Sequence, residues 1–221
     1  MPNWAGNLLG LLNFFIESNC PLCQRPTSQE FCLDCARQVQ RCQVARPNSL
    51  LVDVPVFAWG VYGGKLKQAI AALKDENQPQ LARPLGHWLA QAWLNSQFAS
   101  TRLIVVPIPL HLDKQKQRGY NQAALLAQSF CALTGLHLQQ RGLERILDTQ
   151  AQFGLSPSER EKNLAMAFGL GSGLRRHHPA SPVLLLDDVY TTGSTARSAV
   201  QTLRQSGIQV YGLAALAQAG A

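Results

Sequence analysis

Apolar positions change their period several times along the chain. Leu51 to Tyr62 is rich in Val, Phe and Trp and reads as strand, whereas Lys65 to Leu73 and Leu81 to Leu94 carry apolar residues at helical spacing. Leu103-Ile104-Val105-Val106 is an unbroken apolar run that ends at Pro107, the pattern of a strand buried on both faces. Asn121 to Leu133 then returns to the helical period. Val183-Leu184-Leu185-Leu186 repeats the arrangement, meeting Asp187-Asp188 and a Thr/Gly-rich turn before the helical stretch Thr195 to Gln205. Val210 to Ala217 supplies another strand. Buried strands alternating with helices predict an α/β fold, a parallel sheet with helices on both faces, whose ligands sit beyond the carboxyl ends of the strands.

The amino-terminal part breaks this pattern. Composition shifts near residue 45, and the string Arg46-Pro47-Asn48-Ser49 is the most linker-like before the longer apolar pattern starts. Two modules are expected, residues 1–45 and residues 50–221. The first holds five of the six cysteines, four of them as Cys20-Pro-Leu-Cys23 and Cys32-Leu-Asp-Cys35. Each CxxC pair forms a tight knuckle that presents two sulfurs, so Cys20, Cys23, Cys32 and Cys35 suit tetrahedral Zn²⁺. A redox dithiol is the competing reading, but redox chemistry needs one such pair and here there are two. Cys42 follows as a spare thiol, and Cys131 falls in a helical apolar pattern as a core residue.

Composition excludes several classes. With 46% hydrophobic and 15% charged residues in 221, the chain is neither a disordered tail nor a disulfide-built miniprotein. Leu8 to Ile16 is apolar but has no Lys or Arg before it and about half the length of a membrane span. It is expected to pack as a helix, with no membrane span, and the protein is expected in the cytoplasm. A net charge of +7 points to polyanionic partners.

The strongest chemical signal is Asp187-Asp188-Val189-Tyr190-Thr191-Thr192-Gly193-Ser194-Thr195 after the buried run. Two adjacent acids at a strand end can accept hydrogen bonds from a sugar diol or hold hydrated Mg²⁺. The N–H groups and hydroxyls that open the next helix form an anion cradle, and Gly193 lets the backbone approach a phosphate. Together they fit a ribose 5-phosphate. A second segment runs from Val106-Pro107-Ile108-Pro109 through Lys114, Lys116 and Arg118 to Gly119-Tyr120-Asn121-Gln122. Its place suits a pyrophosphate loop, with Arg118 as a donor fork; the bland reading is a solvated basic loop. His177-His178 after Arg175-Arg176 reads as another solvated loop. Lys74 either reaches the pocket or complements a helix carboxyl end.

The Asp187–Thr195 string resembles the phosphoribosyl pyrophosphate (PRPP) motif of type I phosphoribosyltransferases. The RGYNQ string, with Arg145, Gln150, Leu155-Ser156, Arg160, Asn163, Ala167-Phe168 and the CPLC pair, is similar to the ComF family, the competence-associated proteins related to GntX. The resemblance runs nearly end to end. It implies an amino-terminal zinc module joined to a phosphoribosyltransferase-like domain, with Asp187 and Asp188 toward the ribose hydroxyls and Thr191, Thr192, Gly193, Ser194 and Thr195 toward the 5-phosphate. It also implies a setting in natural transformation, where incoming single-stranded DNA is handled beside a helicase and a recombination mediator. Two functions follow. One is an enzyme that transfers the ribose 5-phosphate of PRPP, with Mg²⁺ and the basic loops stabilising the departing pyrophosphate. The other is a binding or adaptor protein that keeps the site without the reaction.

Overall fold

The computed structural model describes residues 18–44, 49–51, 54–100, 102–146, 167–176 and 178–219. The segment Leu8 to Ile16, the linker residues Arg46, Pro47 and Asn48, and Gln150, Leu155, Ser156, Arg160, Asn163 and His177 lie outside them.

Strands β1 (Ser18–Asn19) and β2 (Pro26–Thr27) form a small antiparallel ribbon, and helix α1 (Leu33–Gln40) follows. The main sheet then assembles from β3 (Ser49–Leu51), β4 (Val54–Val61), β5 (Ile104–Pro107), β6 (His137–Leu138), β9 (Val183–Tyr190) and β10 (Val210–Gln218). Its order is β3-β4-β10-β9-β5-β6, parallel throughout except for the antiparallel edge strand β3. The connecting helices are α2 (Gly64–Asp75), α3 (Ala82–Leu94), α4 (Leu112–Arg118), α5 (Gln122–Thr134) and α7 (Ser194–Gln205). A second antiparallel pair, β7 (Leu143–Arg145) with β8 (Phe168–Leu170), precedes the short helix α6 (Ser172–Arg175).

The alternation of strand side chains sorts the core into two layers. Leu184 and Leu186 join Phe57, Trp59, Val105 and the buried faces of α2, α3 and α5. Val183 and Leu185 face the other way, onto Ala196, Ala199, Val200 and Leu203 of α7, with Phe168 and Leu174. All four β9 residues are fully buried, each worth about 1.5–3 kcal/mol of apolar transfer. The α/β expectation, with a parallel sheet covered on both faces and four clustered cysteines near the amino terminus, is what the structure contains.

Three expectations change. Strand β9 runs past the apolar run to Tyr190, because pairing with β10 continues to Tyr190 opposite Gln218. The acids, read from the sequence as standing at the strand end, therefore lie within the strand, Asp188 two residues short of its last. The basic segment around Lys114 to Arg118 is a helix rather than a loop: His111 Nδ1 accepts from the Asp113 N–H at 3.4 Å, and Gly119, at φ 83°, ends it in the left-handed conformation that glycine adopts without strain. Arg175 likewise sits in α6 and pairs with Glu144, so this stretch is not a bare solvated loop.

The cysteine segment is docked on the sheet layer. Phe31 stacks on Trp88 and Trp88 on Trp59, with centroids 5.8 and 5.9 Å apart. Arg83 Nε of α3 donates to Glu30 at 2.6 Å, and Gln43 bridges to Gly60 of β4. Among the described residues no helix is long and apolar enough to cross a membrane.

Candidate functional site

The cysteines come together as their spacing requires. In the first knuckle the Cys20 carbonyl accepts from the N–H groups of Cys23 and Gln24, at 3.2 and 2.8 Å, and Gln24 takes φ 61° to close the turn. In the second, Cys32 caps α1 and Cys35 lies in its first turn. The four sulfurs lie within 4.8 Å of one another, Cys23 and Cys32 at 3.5 Å, and none of the chain's cysteines is in a disulfide. A tetrahedral zinc–thiolate centre has sulfur–sulfur edges of about 3.8 Å, from bonds of about 2.3 Å, so this set can hold a metal ion. Arg25 supports it. Its Nε donates to Cys23 Sγ at 3.4 Å, which lowers that thiol to about 6, and its Nη1 pairs with Asp34 at 2.8 Å. Burial pushes Cys35 up to about 12, so metal binding there must expel a proton. Cys42 lies outside this group, its sulfur 3.8 Å from the Gly63 carbonyl, and Cys131 is buried in the core.

The second site lies at the carboxyl ends of β5 and β9. The chain leaves β5 toward β6 on one side, whereas β9 leads to β10 on the other. This reversal opens the crevice in which open α/β sheets bind ligands. The β5 end is tied to β9 by the Ile108 N–H, which donates to the Leu186 carbonyl at 2.9 Å.

Asp188 shares the face of Leu184 and Leu186, toward α2 and α5, and is only 3% exposed. The sequence places both acids at a strand end, open to a sugar diol, and the structure buries this one. Buried charge needs compensation, and Lys74, at the end of α2, forms an ion pair with Asp188 Oδ2. Gln122 Nε2 approaches Oδ1 at 3.5 Å, while Gln122 Oε1 accepts from Arg118 Nη1 at 2.5 Å. Arg118 Nη2 reaches Asp75 at 3.2 Å. Because Asp75 follows Lys74 in the chain, Lys74, Asp188, Gln122, Arg118 and Asp75 close into a ring spanning four elements, α2, α4, α5 and β9.

Burial is the largest influence on the Asp188 carboxyl and pushes it up, but the Lys74 charge together with hydrogen bonds from Asp187, Lys74 and Gln122 outweighs it and holds the group below its usual value. Burial would likewise lower Lys74, and the charge and hydrogen bond of Asp188, with the nearby Asp187 charge, together raise it instead. Asp187, whose Oδ1 accepts from the Asp188 N–H at 2.8 Å, is pushed well above the carboxylate range by burial and then by the neighbouring charge.

A cavity of about 590 Å³ adjoins the ring, lined by Lys74, Asp75, Leu110, Lys114, Gln117, Arg118, Gln122 and Arg145. Four of these carry positive charge against one carboxylate, the balance a polyphosphate needs. A hollow of about 560 Å³ at the amino ends of β9 and β10 has Arg204 as its single charged lining residue and lies away from the motifs.

The remaining predicted residues divide by role. Tyr120 donates its hydroxyl to the Leu73 carbonyl at 2.6 Å, pinning α5 to the end of α2. Asn121 caps α5, accepting from the Ala123 N–H at 2.9 Å, and its Nδ2 holds the Ile108 carbonyl at 3.0 Å. Both shape the crevice, as Gly119 does by ending α4. Thr191 and Thr192 are exposed, Ser194 and Thr195 half-buried, all at the start of α7. Gly193 takes φ 74°, and a Cβ there would lie 2.7 Å from Leu51 and 2.9 Å from the Tyr190 ring. Of the two places the sequence leaves open for Lys74 the structure shows the one at the pocket, and Gln122, quoted in the RGYNQ string, meets Asp188, a contact that the string does not specify. The available signal was the need of a strand acid for a buried countercharge, which fixes no sequence position.

Known proteins place the chain. It is 32% identical over 214 residues to "Competence protein F" of Haemophilus influenzae, spanning 91% of this chain and 93% of the relative. The chain belongs to the ComF family. This ComF-family chain is also 29% identical over 200 residues to "DNA utilization protein YhgH" of Salmonella typhimurium, covering 88% of the chain and 82% of the relative. To "Competence protein ComFC" of Bacillus subtilis it is 24% identical over 194 residues, 85% and 72% of the two chains. No family model matches it.

Proposed function

We propose that this protein binds PRPP or ribose 5-phosphate at the carboxyl ends of β5 and β9 and acts in natural competence, in the use of incoming single-stranded DNA. The observation that carries the reading is the basic cavity at the β5/β9 reversal, joined to Asp188 through Lys74 and Gln122. In this reading Asp187 and Asp188 take the ribose hydroxyls, the Thr191–Thr195 turn takes the 5-phosphate, and Arg118 with Lys114 takes the pyrophosphate. The names of the relatives support the setting: two are competence proteins and one a DNA utilization protein.

The metal held by the four cysteines is zinc in a structural role, because four thiolates leave no open coordination position for substrate. Mg²⁺ does not fit on Asp188 as the acids stand, since the Lys74 ammonium occupies Oδ2 and Gln122 approaches Oδ1. It would enter with the pyrophosphate. The two modules are residues 1–45 and 50–221, and the described residues 18–44 of the first act as a docked platform for the second, in the cytoplasm, beside a helicase and a recombination mediator.

The second reading is an active phosphoribosyltransferase, favoured by the same acids and basic cavity. Pyrophosphate release from PRPP with candidate bases, measured beside DNA binding at the same salt, separates the two. Binding of PRPP without pyrophosphate release identifies a sensor or adaptor. Turnover identifies the enzyme, and failure to bind PRPP at all removes both.

A further inference from the structure

The Asp188 carboxylate is covered by its partners. Its side chain is 5% exposed, Oδ2 is taken by Lys74, and Gln122 approaches Oδ1. A ribose hydroxyl can reach this carboxylate only if one of these partners withdraws. Gln122 is held from behind by Arg118, which is itself anchored on Asp75, so its movement would break two contacts and leave an anchored guanidinium without its acceptor. Lys74 is different. It is a point charge on a flexible stem with rotatable donors, and it lines the basic cavity as well as pairing with Asp188. It cannot leave for nothing, because a buried carboxylate and a part-buried ammonium would both lose their compensation. An anion in the cavity, beside Lys114, Arg118 and Arg145, offers the ammonium a second partner.

We propose that Lys74 is a positioning residue whose withdrawal from Asp188 toward a ligand pyrophosphate frees the carboxylate for a ribose hydroxyl, so that the two parts of PRPP bind cooperatively. This rests on the phosphoribosyl reading above and deepens it. Ribose 5-phosphate alone brings its phosphate to the start of α7 and nothing to draw off Lys74. Inorganic pyrophosphate alone draws off Lys74 and strands the acid. PRPP satisfies both groups at once, which makes the site selective for the intact molecule over either part.

The test is calorimetry on the full chain with ribose 5-phosphate, inorganic pyrophosphate and PRPP, in buffer containing Mg²⁺. In the wild type, saturating pyrophosphate should tighten ribose 5-phosphate by about tenfold, with the reciprocal effect of equal size. Lys74→Met should reduce this factor to below about twofold, because Asp188 Oδ2 then needs no release. Lys74→Arg, which keeps the charge, should retain it. A purely structural lysine would lower all affinities together and leave the factor unchanged. Wild type that binds both parts without coupling overturns the proposal and spares the PRPP reading, as does a folded Lys74→Met that keeps the coupling. Wild type that binds none of the three ligands overturns both. Should Lys74→Met fail to fold, the wild-type factor and its loss or retention in Lys74→Arg decide.

Discussion

The cysteine knuckles and the strand-end site are both announced by short motifs, yet they are built in different ways. The knuckles are closed locally: the four sulfurs come from residues 20–35, and the turn and helix start that present them lie within that stretch. The strand-end site is assembled from α2, the α4–α5 junction and β9, across separations as long as that between Lys74 and Asp188. A local motif can therefore specify a metal centre almost completely. It specifies only one wall of a pocket whose charge balance is set by distant residues.

Metal removal should produce the largest effect. Phe31 packs in the same core cluster as Trp59 and Trp88, so loss of the metal should loosen more than the knuckles. Structural zinc contributes about 10 kcal/mol of apparent binding free energy in isolated finger peptides. Chelation, or Cys35→Ser, should lower the melting temperature by more than 10 °C, at about 2–4 °C per kcal/mol, and alter near-ultraviolet circular dichroism. Elemental analysis should find about one zinc per chain. A folded, fully reduced and metal-free preparation with unchanged melting would erase the contrast between the two sites.

Next in size is the buried pair. Lys74→Met leaves Asp188 uncompensated and should cost about 3 kcal/mol, measured by denaturant unfolding. Asp188→Asn should cost a similar amount, and the double variant much less than their sum. The pH dependence follows from the same pair. Lys74 is raised in the folded state, so its contribution is fully present below its unfolded value and is lost as pH rises through the folded one. Wild type should therefore lose stability in the alkaline range, in a step that Lys74→Met lacks. On the acid side the two carboxylates oppose each other. Asp188, depressed, loses its contribution as pH falls through its folded value, while Asp187, raised, is relieved by protonation.

Smaller effects sharpen the picture. Gly193→Ala should cost about 1–2 kcal/mol, because φ 74° is unfavourable for a side chain, and the Tyr190 ring must also move. Ala at Lys114, Lys116 and Arg118 together should cost about 1–2 kcal/mol, chiefly through Arg118, which is half-buried and loses its bonds to Gln122 and Asp75, while Lys116 lies toward solvent. The same variant should weaken single-stranded DNA binding and flatten its salt dependence, read by fluorescence anisotropy. If it binds as the wild type does, contact with DNA lies elsewhere.

Much of the fold was legible because apolar periodicity carries it. Leu103 to Val106 and Val183 to Leu186 became central strands, and Cys131 a core residue. The amphipathic run after Arg118 became α5, opened by the Asn121 cap. Helices α1 and α4 were not foreseen: one is only eight residues long and begins at a metal-ligand position, and the other has no buried face to leave a pattern. The extension of β9 through Asp188 was missed because two acids look like a strand end. Burying one of them depends on Lys74 more than a hundred residues earlier in the chain. Tyr120 and Asn121 stand out in the motif, but they hold backbone carbonyls.

The most direct test of the central claim is calorimetric titration of PRPP into the wild type and Asp187→Asn. Asp187 is the acid that is not paired with Lys74, so its replacement should leave the fold unchanged by melting. The account predicts saturable binding to the wild type and at least about tenfold weaker binding to the variant, or 1.4 kcal/mol. No binding of PRPP to the folded wild type, or equal affinity in the variant, would contradict it.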